Sequence, residues 1–504
     1  KMPGVTIESA GGDPGAGTRI LIRGVGTLGN ATPLYIVDGV QVASINNLNQ
    51  ADIESFDVLK DASAAAIYGS RAANGVVLVT TKSGKTGAPV VQFNANYGQQ
   101  RKSSSVDVLN AREWATVSNM ANDNAGVPRL DIANNPDQLG EGTNWQDAIF
   151  RTGVTQQYNL LVSGGSEATK YSVSGGYNDQ EGIVDVTNYN RYNLRAKTET
   201  TFGRLKFGQT ILLSREKFVT MPGGWGGQSG NAIGSALKMI PAFDIYDPTL
   251  VGGYGGAAGS VVNIANPVAM LNLEDINRVN TSILANAFAE LKLLPGLSYK
   301  FNLGYTNVSN SNYDYHRRYK VGGLFTHPTN DISLSEDRNI LVLLENTLNY
   351  NKVFGKHSVN ALAGYTYQSN NYKFTGASRT DLPDGIDQID AGAGVSTTEG
   401  NRTENNLVSV LGRLIYSYDD RYLLTASFRR DGSSRFGSGN RYGNFPSVAL
   451  GWNVFKEDFF EPLANTISNL KLRASYGVLG NQEIGDYQYS AAVASNINYV
   501  LGNG

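Results

Sequence analysis

The chain has 504 residues, formal net charge −2 and only 17% charged residues, against roughly 25% in ordinary soluble chains. With no strongly basic block, it lacks the electrostatic footprint of a nucleic-acid binder. Its lack of cysteine excludes a disulfide framework and Cys-ligated zinc. No apolar run approaches the ~18 residues of a membrane-spanning helix; the longest is Ile340–Leu344. That leaves open a barrel, whose strands conceal their apolarity in alternation.

Lys1–Val5 runs directly into a strand–turn pattern rather than a leader-like apolar segment. A short β-like piece at Val5–Ile7 is followed by a glycine-rich turn over Gly11–Gly17 and a strand over Arg19–Arg23. Gly24-Val-Gly-Thr-Leu-Gly29 then has the spacing of a dinucleotide-binding loop. That loop works only when a helix follows and turns its N–H groups on a pyrophosphate. Here Pro33 and the β-rich Leu34–Val37 arrive at once, so nucleotide binding is rejected.

Asp38-Gly39, between Tyr35–Val37 and Val40–Val42, predicts a tight hairpin turn. Asp61 or Ser63 is placed to cap a helix over Ala62–Tyr68, which Gly69 ends. A further apolar run, Val76–Lys82, completes a compact αβ unit of roughly 80 residues. Lys60, Asp61 and Arg71 form a charged cluster in sequence. Ordinary salt bridges explain it more simply than substrate contact, and in a plug its expected purpose is a polar, breakable contact with the surrounding wall.

After Pro89 the pattern becomes period two. Leu297, Tyr299, Phe301, Leu303 and Tyr305 share one face, opposite Ser298, Lys300, Asn302 and Gly304. Tyr171–Tyr177 alternates in the same way, as do Val359–Tyr367, Val408–Tyr418, Tyr422–Arg429, Val448–Val454 and Leu470–Tyr476. A soluble sandwich also alternates. Aromatic residues gathered at strand ends, as in Tyr365-Thr-Tyr367 and Tyr416-Ser-Tyr418, favour a membrane barrel. So do tight connections at Pro295-Gly296 and Asp419-Asp420 set against long ones over Thr220–Ile276, Ser309–Arg338 and Asn370–Thr403. A small αβ unit followed by a long alternating tract predicts a plug with a barrel around it.

Pro33-Leu-Tyr-Ile-Val-Asp-Gly39 and Leu59-Lys-Asp-Ala-Ser-Ala-Ala-Ala-Ile-Tyr-Gly-Ser-Arg-Ala-Ala-Asn-Gly75 closely resemble the plug signature of SusC/RagA-like TonB-dependent outer-membrane transporters. Arg429–Gly437 with Asn444–Trp452 resembles a barrel motif of the same family. The resemblance carries over to Arg23, Gly24, Tyr35, Asp38, Gly39, Lys60, Asp61, Tyr68, Gly69, Arg71, Asn74 and Gly75 as plug-signature positions. It implies a plug over residues 1–88 and an antiparallel transmembrane β-barrel over 89–504.

Roughly 12 or 13 strands of spanning length can be counted. A lumen that holds a plug belongs to barrels of about 22 strands. The sequence is therefore expected to be an internal part of a longer chain, without the segment that TonB grips and without the last third or more of the barrel. By resemblance, the protein imports glycan or peptide fragments across the outer membrane. TonB supplies the drive and a SusD-like surface lipoprotein acts as lid. A siderophore- or cobalamin-type receptor is the alternative within transport, and a secreted β-rich glycan-binding adhesin the alternative outside it.

No catalytic constellation, cofactor site or metal site is expected. His316, His327 and His357 are read in loops or beside a turn, away from any nucleophile or zinc motif. Asp381, Asp384, Asp387 and Asp390 match no calcium-loop spacing. Candidate substrate contacts are Tyr313, Tyr315, His316, Arg317 and Arg318, read as an aromatic and cationic loop, together with Trp225, read as an exposed indole between glycines. Leu237–Pro241 and Asn266–Leu271 are too apolar for bare solvent and are expected beneath other loops or a docked protein.

Overall fold

A computed structural model describes the chain except for residues 1–2, 10, 26, 28–29, 62–64, 224, 226–229, 258–262, 323–324, 464–465 and 491–504. Strands β1 (Val5–Ser9) and β2 (Thr18–Ile22) form an antiparallel pair. Then β3 (Leu34–Val37), β4 (Val40–Val42), β5 (Ile53–Leu59) and β6 (Val76–Thr81) make a four-stranded sheet in the order β4-β3-β6-β5. β3 and β6 are parallel and covered on both faces, which is why they read as continuous apolar runs. Val37, Val77 and Val79 pack with Ile20 and Tyr35 on one side, while Leu34, Ile36 and Val76 meet Ala65 and Ala72 on the other.

Asp38 and Gly39 both take positive φ (46° and 88°), as a two-residue hairpin of the right twist requires. Ala62 and Ser63 of the expected helix lie outside the described residues. Its described remainder is a 3-10 helix over Ala66–Arg71 that runs through Gly69, with a break there (φ 58°, ψ −126°). The side chain of Asp61 turns instead to Arg23.

The wall is a 13-stranded antiparallel sheet. Its strands are β7 (Gly87–Gln100), β8 (Gly153–Gly165), β9 (Thr169–Glu181), β10 (Asn188–Phe202) and β11 (Leu205–Val219). They continue as β12 (Glu274–Leu294) and β13 (Leu297–His316). A small hairpin, β14 (Tyr319–Val321) with β15 (Phe325–His327), follows. The sheet then resumes as β16 (Asn330–Phe354), β17 (His357–Leu382), β18 (Ser396–Tyr418), β19 (Tyr422–Ser433), β20 (Tyr442–Asn453) and β21 (Lys471–Gly477).

Period two assigns the faces. Phe301 and Leu303 are outward and exposed, in a band with Leu194, Leu213, Leu348, Val410 and Leu450. Asn302, Gly304 and Thr306 are buried on the inside, and a Cβ on Gly304 would lie 3.0 Å from Val40 of the plug. Tight turns gather at one end, where Asp419 and Asp420 both adopt positive φ. The β20–β21 connection over 454–470 is the long exception at that end.

Two of the three expected long loops are in large part strand, with shorter connections left over 317–329 and 383–395. Ser309 pairs with Arg338 and the ladder continues to His316↔Asp331. Thr403 pairs with Tyr372, continuing to Arg379↔Ser396. β16 and β17 run 25 and 26 residues, far beyond the roughly 9–11 that span a membrane. Above the apolar band most residues on both faces are polar, with Tyr315, Ile332 and Leu382 buried together near the top, so the alternation that marks a strand fades while the ladder persists.

The segment over 220–273 does remain a long connection, carrying helices Ala232–Lys238 and Pro267–Leu273. Its apolar stretches are buried between loops. Met239, Val268, Met270 and Leu271 pack with Trp145, Ile149, Val321 and Phe325 in one core above the wall. Sequence reading also passed over the helix Ala111–Ala125, although Asn110 and Glu113 form a reciprocal capping box at its start.

Candidate functional site between plug and wall

Three buried polar bridges tie the plug to the wall. The first hangs on the β3–β4 turn, where Asp38 accepts from the Thr81 backbone N–H and hydroxyl. Lys197 of β10 lies 3.2 Å from its carboxylate and also donates to the Thr81 carbonyl.

The second bridge centres on Asp52, before β5. Arg195 of β10, 1% exposed, reaches the Asp52 carboxylate at 3.2 Å through Nε, a pairing without hydrogen-bond alignment. Its terminal nitrogens donate to the Lys82 carbonyl (2.6 Å) and to Ser172 Oγ (2.8 Å). Ser174 Oγ donates to Asp52 at 2.5 Å, and Asn49 donates to Asn159 nearby.

The third bridge lies at the glycine break. Ser70 donates to Asp431 of β19 through both its backbone N–H and its hydroxyl, each at 2.8 Å. Asp431 pairs with Arg429 at 2.5 Å, and Arg429 donates onward to the Ile67 carbonyl and Ser409. Arg71 donates to Gln368 of β17 at 2.6 Å and to Gln41 at 3.1 Å. Burial, reinforced by the nearby Arg429 charge, pushes the Arg71 guanidinium down to about 10, so it stays charged at neutral pH. Burial likewise raises the Tyr68 phenol.

Gly69 permits this bridge. Its backbone angles suit glycine almost alone, and a Cβ there would sit 2.6 Å from Arg429 Cδ. Gly69→Ala is expected to lower stability by about 1–3 kcal/mol from backbone strain, before any displacement of Arg429 is added. Thermal unfolding of the detergent-extracted protein checks this; an unchanged midpoint would remove the strained turn from the account.

The charged cluster expected from sequence disperses. Arg71 goes to the wall, whereas Asp61 pairs with Arg23 on an exposed face and Lys60 donates to the Pro3 carbonyl. Asn74 donates to the Asn30 carbonyl, and Gly24 and Gly75 occupy positive-φ positions (82° and 84°). Tyr35 lies in the plug core. Sequence reasoning missed Arg195, Lys197, Arg429, Asp431, Asp52, Ser70 and Gln368 as contact residues. The available signal was charge at alternating wall positions, in Arg195-Ala-Lys197 and Arg429-Arg-Asp431.

Between plug and wall lies a cavity of about 860 Å³. Its lining includes Asn46, Asn47 and Arg71 from the plug and Ser214, Asn280 and Asn339 from the wall. Among the described residues, five buried polar atoms of its lining make no hydrogen bond to the protein: Arg71 Nε, Ser214 Oγ, Asn280 Oδ1, Asn339 Oδ1, and Arg195 Nε, which faces Asp52.

The expected substrate contacts above the wall do not form one surface. Trp225 is not an exposed indole. It stacks on Tyr319 with ring centroids 4.1 Å apart, and its N–H donates to Glu274. Nor is Tyr313–His316 a loop, since it is the end of β13. His316 faces inward with Glu274, 3.4 Å away, while Tyr313 and Tyr315 face outward. Around Tyr313 and Tyr315, Arg317 pairs with Asp275, Arg318 pairs with Asp384, and Tyr313 donates to Asp387. Asp384 and Asp387 therefore serve side chains of this outer pocket.

The Arg318 and Asn330 hydrogen bonds hold the Asp384 carboxyl below the usual carboxylate range. A depressed folded-state value stabilises docking of the 383–395 loop at pH above the unfolded value, about 3.9, and is lost as pH falls through the folded value. Protection of that loop from hydrogen exchange, taken relative to the intrinsic rate at each pH, is expected to stay flat from neutral pH to about 4 and to fall below. A fall centred near pH 6 would exclude Asp384 as the cause.

A family model described as the TonB-dependent receptor plug domain matches residues 1–76. The chain is 35% identical to TonB-dependent receptor P3 of Formosa agariphila, over all of this chain and 49% of that protein. It is 33% identical to TonB-dependent receptor SusC of Bacteroides thetaiotaomicron, over 96% of this chain and 50% of that one. The chain thus spans about half the length of the curated relatives it matches. Among solved structures, the RagAB peptide transporter superposes with a TM-score of 0.86 at 27% identity, covering 99% of this chain and 59% of that one. The ferric citrate transporter FecA shares the fold at 12% identity and a TM-score of 0.56, over 90% of this chain and 57% of that one. With its plug sheet, 13-stranded wall and relatives of at least 30% identity along its whole length, the chain belongs to the SusC/RagA-like TonB-dependent receptors, β-barrel proteins of the outer membrane.

Proposed function

We propose that the chain forms the plug and part of the barrel of an energy-coupled importer of oligomeric nutrients, glycan or peptide fragments. A SusD-like surface lipoprotein closes its outer mouth, and TonB pulls on a segment preceding the plug. Residues 1–88 act as the movable plug and 89–504 as wall. The observation that carries this reading is the plug's attachment through discrete buried polar bridges, beside a cavity lined by polar and apolar side chains alike and with apolar contact from the wall at Leu212 and Leu284. The polar contacts exchange for water as they open, so a pull breaks them without the full cost of exposing a wholly apolar interface. Strands that rise beyond the membrane give a lid a raised rim to meet.

The test uses the full-length receptor in its native membrane. Extraction in detergent is expected to recover a lipoprotein bound to it, and uptake of labelled oligosaccharides or oligopeptides should stop on deletion of the receptor or collapse of the proton gradient. Uptake that continues without the receptor, or persists without the gradient, would overturn the reading.

A further inference from the structure

The cavity wall carries a row of carboxamides. Asn280, Asn310, Asn339, Asn370 and Asn405 stand on five adjacent strands, β12, β13, β16, β17 and β18, and all line the cavity. Asn280 is paired in register with Asn310, and Asn370 with Asn405. Asn339 bridges the two pairs, stepped by two residues from each, because its own partners are Val308 and Tyr372. At about 4.8 Å per strand across and about 3.3 Å per residue along, the diagonal row spans roughly 23 Å, the reach of about seven extended residues.

The row is incompletely satisfied by the protein. Asn310 and Asn405 donate to Asp337 and Asp486, but Asn280 Oδ1 and Asn339 Oδ1 are buried without a partner. Ser214 Oγ, on a residue only 9% exposed on the neighbouring strand β11, and Arg71 Nε, facing the row from the plug, are in the same condition. Buried polar atoms left open cost stability unless something else supplies the bond. Their convergence on one cavity points to a ligand that brings both donors and acceptors.

Resting on the import reading above, we infer that this row binds the backbone of an extended, uncharged peptide. A carboxamide offers one acceptor oxygen and one donor nitrogen side by side, which matches the N–H and C=O of a peptide unit and ignores its side chains. Formally neutral asparagines add no charge preference. A sugar chain would instead profit from open aromatic faces, and the aromatic residues lining this cavity are Tyr35, which is buried in the plug core, and Phe218.

The experiment is titration calorimetry on the full-length detergent-extracted receptor with its lipoprotein. The probes are an Ala/Ser/Thr decapeptide, the same decapeptide N-methylated on alternate backbone nitrogens, and a neutral linear hexasaccharide. The decapeptide is expected to bind, its N-methylated form at least tenfold more weakly. The Asn280→Leu and Asn339→Leu variants should each weaken it about three- to tenfold, as befits one lost hydrogen bond. The N-methylated probe needs no altered protein, so a misfolded variant cannot hide the answer. Binding of the hexasaccharide but not the decapeptide, binding of neither, or equal binding of both peptide forms overturns the inference. Uptake in cells separates the two readings. Receptor-dependent uptake that both asparagine variants leave unchanged overturns the asparagine row alone, whereas uptake that survives deletion of the receptor overturns import and the row together.

Discussion

Asp431→Ala is expected to lower stability by about 3–5 kcal/mol, the range for removing one partner of a buried ion pair. The loss comes chiefly from what remains. Arg429 is 3% exposed, and its charge would be left with only the Ile67 carbonyl and Ser409 as neutral acceptors. Ser70 would lose the acceptor for its backbone N–H and its hydroxyl together. Asp431→Asn keeps the shape and one acceptor oxygen, so it should cost less while still leaving Arg429 uncompensated. Asp61→Ala, which breaks an exposed pair with Arg23, serves as the control and should stay within ~1 kcal/mol of the wild type. Thermal unfolding ranks the three, and hydrogen exchange over 65–72 should rise only in the Asp431 variants. Equal effects of Asp431→Ala and Asp61→Ala would mean that the plug is not held at the glycine break.

Much of this architecture was written locally in the chain. Asp38-Gly39 forms a two-residue turn and Asp419-Asp420 the first two residues of a three-residue one, all four with positive φ, a geometry their residue types favour. Leu297–Tyr305 alternates because lipid meets one face and the plug side the other. The signal fails where that asymmetry ends. Between Asn307 and Asn312 both faces of β13 are polar, so a paired strand reads as a loop although its ladder runs unbroken to His316.

The site was less legible for a related reason. A charge at an inward position of an alternating strand, such as Lys197, looks in one dimension like a charge on a solvated face. Only the distant Asp38 tells them apart. Arg71 stood out because it belongs to the Leu59–Gly75 signature, yet its partner Gln368 lies far along the chain. Trp225 fails in the opposite direction. Flanking glycines suggest exposure, but Tyr319, Phe325 and Glu274, each remote in sequence, enclose it.

Replacing both members of the Asp52–Arg195 bridge, as Asp52→Leu with Arg195→Met, is expected to leave a folded, inserted receptor that is more stable than either single variant, short of the wild type by the hydrogen bonds that Ser172, Ser174 and the Lys82 carbonyl lose, and that imports poorly. Either change alone should cost about 3–5 kcal/mol, because it strands a charge in a site where both groups are almost wholly buried. Together they remove both desolvation costs, and matched apolar side chains commonly recover what the pair contributed. The difference lies in how the contact opens. The ion pair gives each group back to water as the plug moves away, whereas a leucine–methionine contact exposes apolar area at about 25 cal/mol per Å². The double variant therefore raises the work of displacing the plug while lowering the stability of the resting state less than either single change. A double-mutant cycle on unfolding midpoints, run beside proton-gradient-dependent uptake, tests both halves. Restored stability with wild-type uptake would show that the polarity of this bridge does not serve plug movement, and summed single losses in stability would show that the bridge is required for the fold itself.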